Sequence, residues 1–554
     1  MARPVQERER LYERYFPLVI LIFALPLFYY KLGALALVGP DEPRYAQVAR
    51  EMYERGDWIT PTLLGDTWFE KPALLYWMMI VCYHLLGVNE WAARLPNALL
   101  ATLNLFIIYG LAKRVGGSRY GLISALVLAT SGLYFGFARA ASFDMTLTFT
   151  FTAAFLYLHL ADTANDVSAR RKYLLGFYFA VGVSLLAKGL IGIMLIGACS
   201  ALYLILSVGW RRLFQFHPFT GLLVCLLIAG LWYLPVIARH GWLFIDEFFI
   251  QHHFQRYTSN KYHHPGPVYY FLGIILVGVT PWSLLILNSA VRGIKKLFNG
   301  RQLLDCWHSA IAKDRLLGLA AIWILVPLIF FSFSGSKLPG YILPIFPALA
   351  LFIALEIETL LDRAGQRGLL VATAVVFLII AIALAYFAHK KFQAGIGTQL
   401  LLAAVPFLTA VGVLFYWRRN ILISFIVLMA MSPLMALTIT TLLFPSIENE
   451  ASLAPLARLA ATQLHVNEKV IFFNYLQYSP LFYTNGRVVR GSDGEAVLVY
   501  NVDELAGYLE KQESLLCILK QRQLNLITND PRWQSVILGR QRDLILLRIS
   551  PHQH

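Results

Sequence analysis

The sequence predicts an all-α polytopic membrane protein of about 13 transmembrane helices, followed by a small C-terminal α/β domain. Three observations predict it. Hydrophobic residues make up 58% of the 554 and charged residues only 14%, more apolar side chain than a soluble core can hide. Apolar stretches of roughly 17 to 24 residues recur along the first four fifths of the chain. Beyond about Leu443 that pattern stops, and short β-rich runs alternate with helical ones.

Taken in order, Arg3, Arg8, Arg10 and Arg14 precede an apolar run at 16–38. That run is too long for a signal-peptide core and lacks a small-residue cleavage site, so it reads as a retained first helix with a cytoplasmic N-terminus. Further stretches fall at 72–88, 95–113, 119–138, 144–161, 173–188, 190–208, 219–238, 268–291, 316–334, 341–361, 369–388, 399–417 and 421–443. The stretch 72–88 decides the layout. If it lies along the outer surface, the loops carrying Lys113-Arg114-Arg119, Arg170-Arg171-Lys172, Arg211-Arg212, Arg292-Lys295-Lys296, Arg363-Arg367 and Arg418-Arg419 all face the cytoplasm. If it crosses, all of them face outward, against the positive-inside rule. The expected organisation is therefore a membrane domain over 1–443, with 39–94 as a first outer loop containing an interfacial helix, and an outer α/β domain over 444–554.

In that domain, Val470–Phe473, Val488-Val489, Leu515–Leu519, Ser535–Leu538 and Leu544–Ile549 read as strands, 453–464 and 502–511 as helices, and Asn485-Gly486 and Asp493-Gly494 as turns. The net charge of +15 sits in short loops between apolar segments, where it orients the chain and attracts anionic membrane lipid rather than nucleic acid. Five scattered cysteines show neither CxxC nor paired spacing, so neither disulfides nor a cysteine metal site is expected. No Walker loop, dinucleotide fingerprint or nucleophile elbow stands in a suitable context, so the energy for any reaction must come from an already activated substrate.

The sharpest chemical signal is Gly39-Pro40-Asp41-Glu42-Pro43-Arg44-Tyr45, a polar island just past the first apolar run. Adjacent carboxylates beside a bilayer cost solvation free energy unless they have partners or a task. Asp41 and Glu42 fit a general base, a metal ligand or a group orienting a substrate amine; the alternative is that Asp41 simply starts a helix. In Trp68-Phe69-Glu70-Lys71-Pro72, Lys71 is placed to hold a lipid phosphate, or Glu70 and Lys71 form a surface pair. His252-His253-Phe254-Gln255-Arg256-Tyr257 offers Arg256 to a phosphate, with Tyr257 beside it, and its histidines with a nearby glutamate such as Glu70 form a weak zinc signal. Asp144 begins an apolar stretch, where helix capping explains it nearly as well as function. Lys337 and Tyr341, in Lys337-Leu338-Pro339-Gly340-Tyr341, put an amine and a hydroxyl at headgroup depth, or else mark a plain turn.

At these residues the chain resembles the C-type integral-membrane glycosyltransferases. The likeness rests on the Asp-Glu pair of the first outer loop, Glu70-Lys71-Pro72, the stretch Asn89-Glu90-Trp91-Ala92-Ala93-Arg94-Leu95-Pro96, and Arg139 with Asp144. More narrowly it resembles the bacterial aminoarabinose transferases of lipid A. That resemblance implies transfer of 4-amino-4-deoxy-L-arabinose from undecaprenyl phosphate to a lipid A phosphate at the periplasmic face of the inner membrane, masking charge that polymyxin and other cationic peptides bind. It also implies Asp41 as the catalytic carboxylate, Lys71 at the donor phosphate, and Glu70 and Asp144 lining the cavity. Two alternatives stay open: another sugar or acceptor, such as protein mannosylation, and a lipid-linked sugar flippase, for which charges would be spread through the midplane rather than gathered at one interface.

Overall fold

The computed structural model describes residues 13–208, 212–255, 266–298, 311–362, 367–392, 395–417, 420–491, 496–510 and 512–552. The chain divides into two compact units. One comprises residues 1–30, 70–75 and 95–440; the other comprises 31–69, 76–94 and 441–554.

The first unit is helical throughout. Among the described residues each expected stretch coincides at least in part with helix, and eight helices are long and apolar enough to cross a membrane by length and composition. The protein is a multi-pass membrane protein with a small C-terminal sheet domain. Several boundaries differ from the sequence reading. Helix Phe16–Ala24 passes into a wider turn at Leu25–Tyr29 and ends there, because Pro26 lacks the donor that a regular turn needs. The stretches 95–113 and 119–138 fall on separate helices, as expected: the helical run Glu90–Thr130 breaks at Gly117, whose non-helical backbone (φ 88°, ψ 170°) only glycine adopts without strain, and the chain folds back there so that Gly121 packs against Tyr109 and Lys113. The stretch 268–291 is two helices, Tyr270–Gly278 and Ser283–Phe298, parted near Pro281, with the Trp282 indole donating to the Thr130 hydroxyl at 2.9 Å. Pro339–Ile345 is a tight turn leading into Phe346–Asp362, fixed where Trp323 donates to the Pro344 carbonyl at 2.8 Å.

Helix Leu74–Leu86 has 13 residues. At ~1.5 Å per residue it spans only ~20 Å, short of a bilayer's ~30 Å hydrocarbon.

The second unit joins the helix Asp41–Arg55 and a two-stranded hairpin, β1 (Thr62–Leu63) with β2 (Asp66–Thr67), to the tail. The tail sheet contains β3 (Lys469–Phe473), β4 (Leu498–Val499), β5 (Leu515–Lys520), β6 (Trp533–Gln541) and β7 (Leu544–Pro551), in the order β4-β3-β5-β7-β6. β3 runs parallel to β5, with Val470 opposite Leu516, and β5 runs antiparallel to β7, with Ile518 opposite Leu546. Strand β5 is covered on both faces, which is why Leu-Leu-Cys-Ile-Leu reads as a continuous apolar run rather than an alternating one. Its Cys517 packs with Ile471, Phe473, Leu547, Trp533 and the helix residues Leu505 and Leu509. Val488-Val489 makes an isolated bridge to Val470 instead of a strand, and Leu498-Val499 takes the edge position. The Asp493-Gly494 turn lies outside the described residues. Cys82, Cys199, Cys225 and Cys517 are free thiols.

Candidate functional site

Asp41, Glu42 and Arg44 lie in one polar cluster, in the second unit, and Asp144 and Tyr341 in another, in the first.

In the second unit, Asp41 and Glu42 open the helix Asp41–Arg55, where carboxylates suit the exposed amides of the first turn. Successive residues on a helix point about 100° apart, so the two acids meet different surroundings. Glu42 is buried and pairs through both oxygens with Arg94, at 2.9 and 2.8 Å, while also accepting the Val38 amide at 3.0 Å. Arg94 in turn donates to the carbonyls of Leu32, Leu35 and Ala36, groups freed where the chain has left regular helix. This is a buried, fully engaged pair that fixes the start of the helix. Asp41 makes no side-chain cap; it accepts from Arg44 at 2.9 Å and its side chain is 49% exposed. Of the two neighbouring acids, Asp41 is therefore the one a ligand reaches. Arg44 itself is 15% exposed and lies over the rings of Trp68 and Tyr478, 5.7 and 4.9 Å from their centroids.

In the first unit, helix Phe143–Thr163 is capped by Ser142, whose hydroxyl accepts the Asp144 amide at 3.2 Å. Capping is thus Ser142's role. The Asp144 carboxylate instead accepts the Ser142 hydroxyl at 2.9 Å and forms an ion pair with Lys188, the last residue of helix Val167–Lys188. The Lys188 amine also sits over the Tyr341 ring, 5.0 Å from its centroid. Gly340 packs so closely on Asp144 that a Cβ there would collide with the carboxylate. Lysine, aspartate and tyrosine from three separate helical elements thus meet in one group. Its acid and amine side chains are 16% and 15% exposed, reachable yet mutually charge-balanced.

Glu70 and Lys71, also in this unit, pair at 2.7 Å, with side chains 7% and 12% exposed. Lys337 is buried and donates to the Ser334 carbonyl of its own loop at 2.6 Å, so its amine turns inward on the chain. Arg139 likewise serves the backbone, donating to the carbonyls of Leu27 and Tyr30 at 2.9 and 2.7 Å.

Arg256 and Tyr257 lie outside the described residues, as do the side chains of His252 and His253 at the end of helix Ile245–Gln255. Among the described residues no group of three His, Cys, Asp or Glu side chains is arranged to hold a metal ion. The sequence reading left Lys188 unassigned and passed over Ser142 and Tyr478. A Ser-x-Asp ahead of an apolar run was the available signal for the cap; nothing local marked Tyr478, 434 positions beyond Arg44 (478 − 44).

Residues 70–233 match the family described as dolichyl-phosphate-mannose-protein mannosyltransferase. The undecaprenyl phosphate-alpha-4-amino-4-deoxy-L-arabinose arabinosyl transferase of Edwardsiella ictaluri is 31% identical over 331 residues, 59% of this chain and 56% of that protein. The protein of the same name from Pseudomonas paraeruginosa is 32% identical over 357 residues, 63% of this chain and 61% of its own length. The chain therefore spans less than two thirds of the length of these relatives. Among solved structures, ArnT from Cupriavidus metallidurans bound to undecaprenyl phosphate matches with a TM-score of 0.78 and 26% identity, over 96% of this chain and 97% of that one. The archaeal oligosaccharyltransferase AglB from Archaeoglobus fulgidus shares the fold alone, with a TM-score of 0.53 at 12% identity, over 93% of this chain and 70% of that one.

Proposed function

We propose that this chain, similar in sequence and fold to the C-type polyprenyl-phosphate-dependent glycosyltransferases, transfers 4-amino-4-deoxy-L-arabinose from undecaprenyl phosphate to a phosphate of lipid A. The reaction takes place at the periplasmic face of the bacterial inner membrane, with residues 1–443 as the embedded domain and 444–554 as a periplasmic one. Capping the lipid A phosphate with an amino sugar lowers surface negative charge and so weakens binding of polymyxin and other cationic peptides. The observation that carries this reading is the Asp144–Lys188–Tyr341 group, within a fold matched over 96% of the chain by a transferase bound to undecaprenyl phosphate.

In the transfer, the bond from the sugar's anomeric carbon to the donor phosphate oxygen breaks, and one from that carbon to a lipid A phosphate oxygen forms. Nucleophile and leaving group are both phosphate oxyanions, so the exchange balances without a net proton transfer. A phosphate already ionised near neutral pH needs orientation more than deprotonation. Fixed cations lower the barrier by meeting charge as it develops on the leaving phosphate, the part assigned to Lys71 with Lys188 and Arg256. Tyr341 donates its hydroxyl to the same phosphate, and Asp144 holds Lys188 in place. Asp41 positions the sugar through its ammonium group. Glu70 holds Lys71.

The test is reconstitution in vesicles with labelled undecaprenyl-phosphate aminoarabinose and lipid A, read by mass spectrometry of the lipid A. Labelled lipid A is the expected product. Label on protein would favour the mannosyltransferase-like alternative, and donor crossing the bilayer without product would favour a flippase. Asp41→Asn retaining near-full transfer while Asp41→Ala loses it would remove the charge-based role of that residue.

A further inference from the structure

One ring of the C-terminal tail lies against the reactive end of the first loop. We propose that Tyr478 is a positioning residue for Asp41. With Trp68 it clamps Arg44, and Arg44 holds the Asp41 carboxylate in place. This rests on the transfer reading only for Asp41's part in turnover; the clamp itself stands on geometry.

An Arg–Asp pair three residues apart on a helix surface is ordinarily worth little, because two flexible side chains must give up rotamer freedom to meet. Here the arginine is not free to wander. Its guanidinium lies over Tyr478 at 4.9 Å and Trp68 at 5.7 Å, with only 15% of the side chain exposed, while the aspartate it contacts at 2.9 Å is 49% exposed. Aromatic faces attract a guanidinium through their quadrupole and suit its flat shape, so the rings convert a weak surface pair into an oriented one. The result is an acid open to a ligand on one side and fixed on the other.

Tyr478 is itself held from several directions. It precedes the short helix Ser479–Tyr483. The Phe482 carbonyl of that helix accepts from Arg50 of the helix Asp41–Arg55 at 3.2 Å, and the Arg50 guanidinium lies 5.9 Å from the Phe482 ring centroid. The Tyr483 hydroxyl accepts the Leu37 amide at 2.9 Å and donates to Glu90 at 2.9 Å, and Arg458 pairs with the same Glu90. These ties set the distance between the tail and the helix bearing Asp41, so the ring has little freedom to leave Arg44.

Two measurements on the full-length protein decide the matter. The first is the rate at which phenylglyoxal modifies Arg44, read by peptide mass spectrometry, which depends on no substrate. Tyr478→Leu is expected to raise it roughly tenfold and Tyr478→Phe to leave it near wild type. An unchanged rate in Tyr478→Leu overturns the clamp. The second is steady-state transfer. Tyr478→Leu is expected to lower kcat roughly five- to twentyfold with KM for the lipid donor changed much less, Tyr478→Phe to restore it, and the loss to disappear in an Arg44→Leu background. Arg458→Ala loosens the tail elsewhere. If it reproduces the kcat loss of Tyr478→Leu, or if the Tyr478 and Arg44 losses multiply independently, the ring is a structural anchor and the positioning role falls. A wild-type protein that modifies no lipid A defeats the transfer reading, while the phenylglyoxal rates still decide the clamp.

Discussion

Helix Phe143–Thr163 carries an aspartate ion-paired to a cation at each end, and the two pairs are built for different ends. Asp144 meets Lys188 with side chains 16% and 15% exposed, beside a glycine and under no further cover from Arg or Tyr hydroxyls among its described hydrogen bonds. Asp162 is 1% exposed, accepting the Tyr203 hydroxyl at 2.8 Å and Arg315 at 3.3 Å. A buried carboxylate with two donors is closed to chemistry and ties helices together, because removing either partner strands a charge. A partly open one leaves room for a ligand to compete for its lysine. Exposure, rather than the presence of an ion pair or the number of donors, separates the acid assigned to the transfer from the holding one.

That contrast breaks or sharpens through substitution. Asp162→Ala should have the largest effect, about 2 to 3 kcal/mol of stability, since Arg315, 22% exposed, loses its counter-charge and the Tyr203 hydroxyl its acceptor. Thermal unfolding in detergent should show it, with the activity of the surviving folded fraction preserved. Asp144→Asn should do the reverse: a melting temperature near wild type and a fall in transfer of roughly a hundredfold, measured as initial rate on labelled donor. If the two variants exchanged phenotypes, the distinction drawn here would be wrong. Gly340→Ala should lower transfer roughly tenfold by pushing the Asp144 carboxylate off Lys188, since a misplacement of about 1 Å suffices for such losses.

A third acid provides a soluble reference for the closed type. Burial alone would raise the Glu468 carboxyl, but hydrogen bonds from Arg548 at 2.9 Å, Ser514 at 2.7 Å and the His465 amide at 3.1 Å hold it below the usual carboxylate range. A group whose value is depressed on folding contributes stability that is present above about pH 4.5 and is lost as pH falls through the folded value. Hydrogen exchange of the β3 and β5 amides should therefore accelerate below that pH, and Glu468→Gln should flatten the dependence. Tyr203→Phe, removing one neutral donor from Asp162, should cost the least, about 1 kcal/mol in the same melting assay.

Much of this architecture is legible in the sequence because hydropathy and loop charge act over whole segments. Lipid forces the apolar runs to be helical, and the cationic loops argue that 72–88 lies flat. The tail's longer strands are visible for the same reason, whereas the two-residue edge strand Leu498-Val499 carries too little pattern to be seen. What one sequence hides is pairing at a distance. Asp41 and Glu42 look equivalent until Arg94, 52 positions on, claims one of them. Asp162 reads as an ordinary loop-edge charge until Arg315, 153 positions on, closes over it. The signal for each lies in a partner whose proximity only the fold supplies.

The bond from Leu37 to Tyr483 joins residues 446 positions apart, so the second is made long after the first. A ribosome delivering this chain releases the loop bearing Asp41 long before the strands that complete its unit exist. Contacts of such sequence separation form late, after the intervening helices have been made and inserted. The nascent protein therefore carries that carboxylate unsupported until the segment around Tyr478 and Tyr483 has been made.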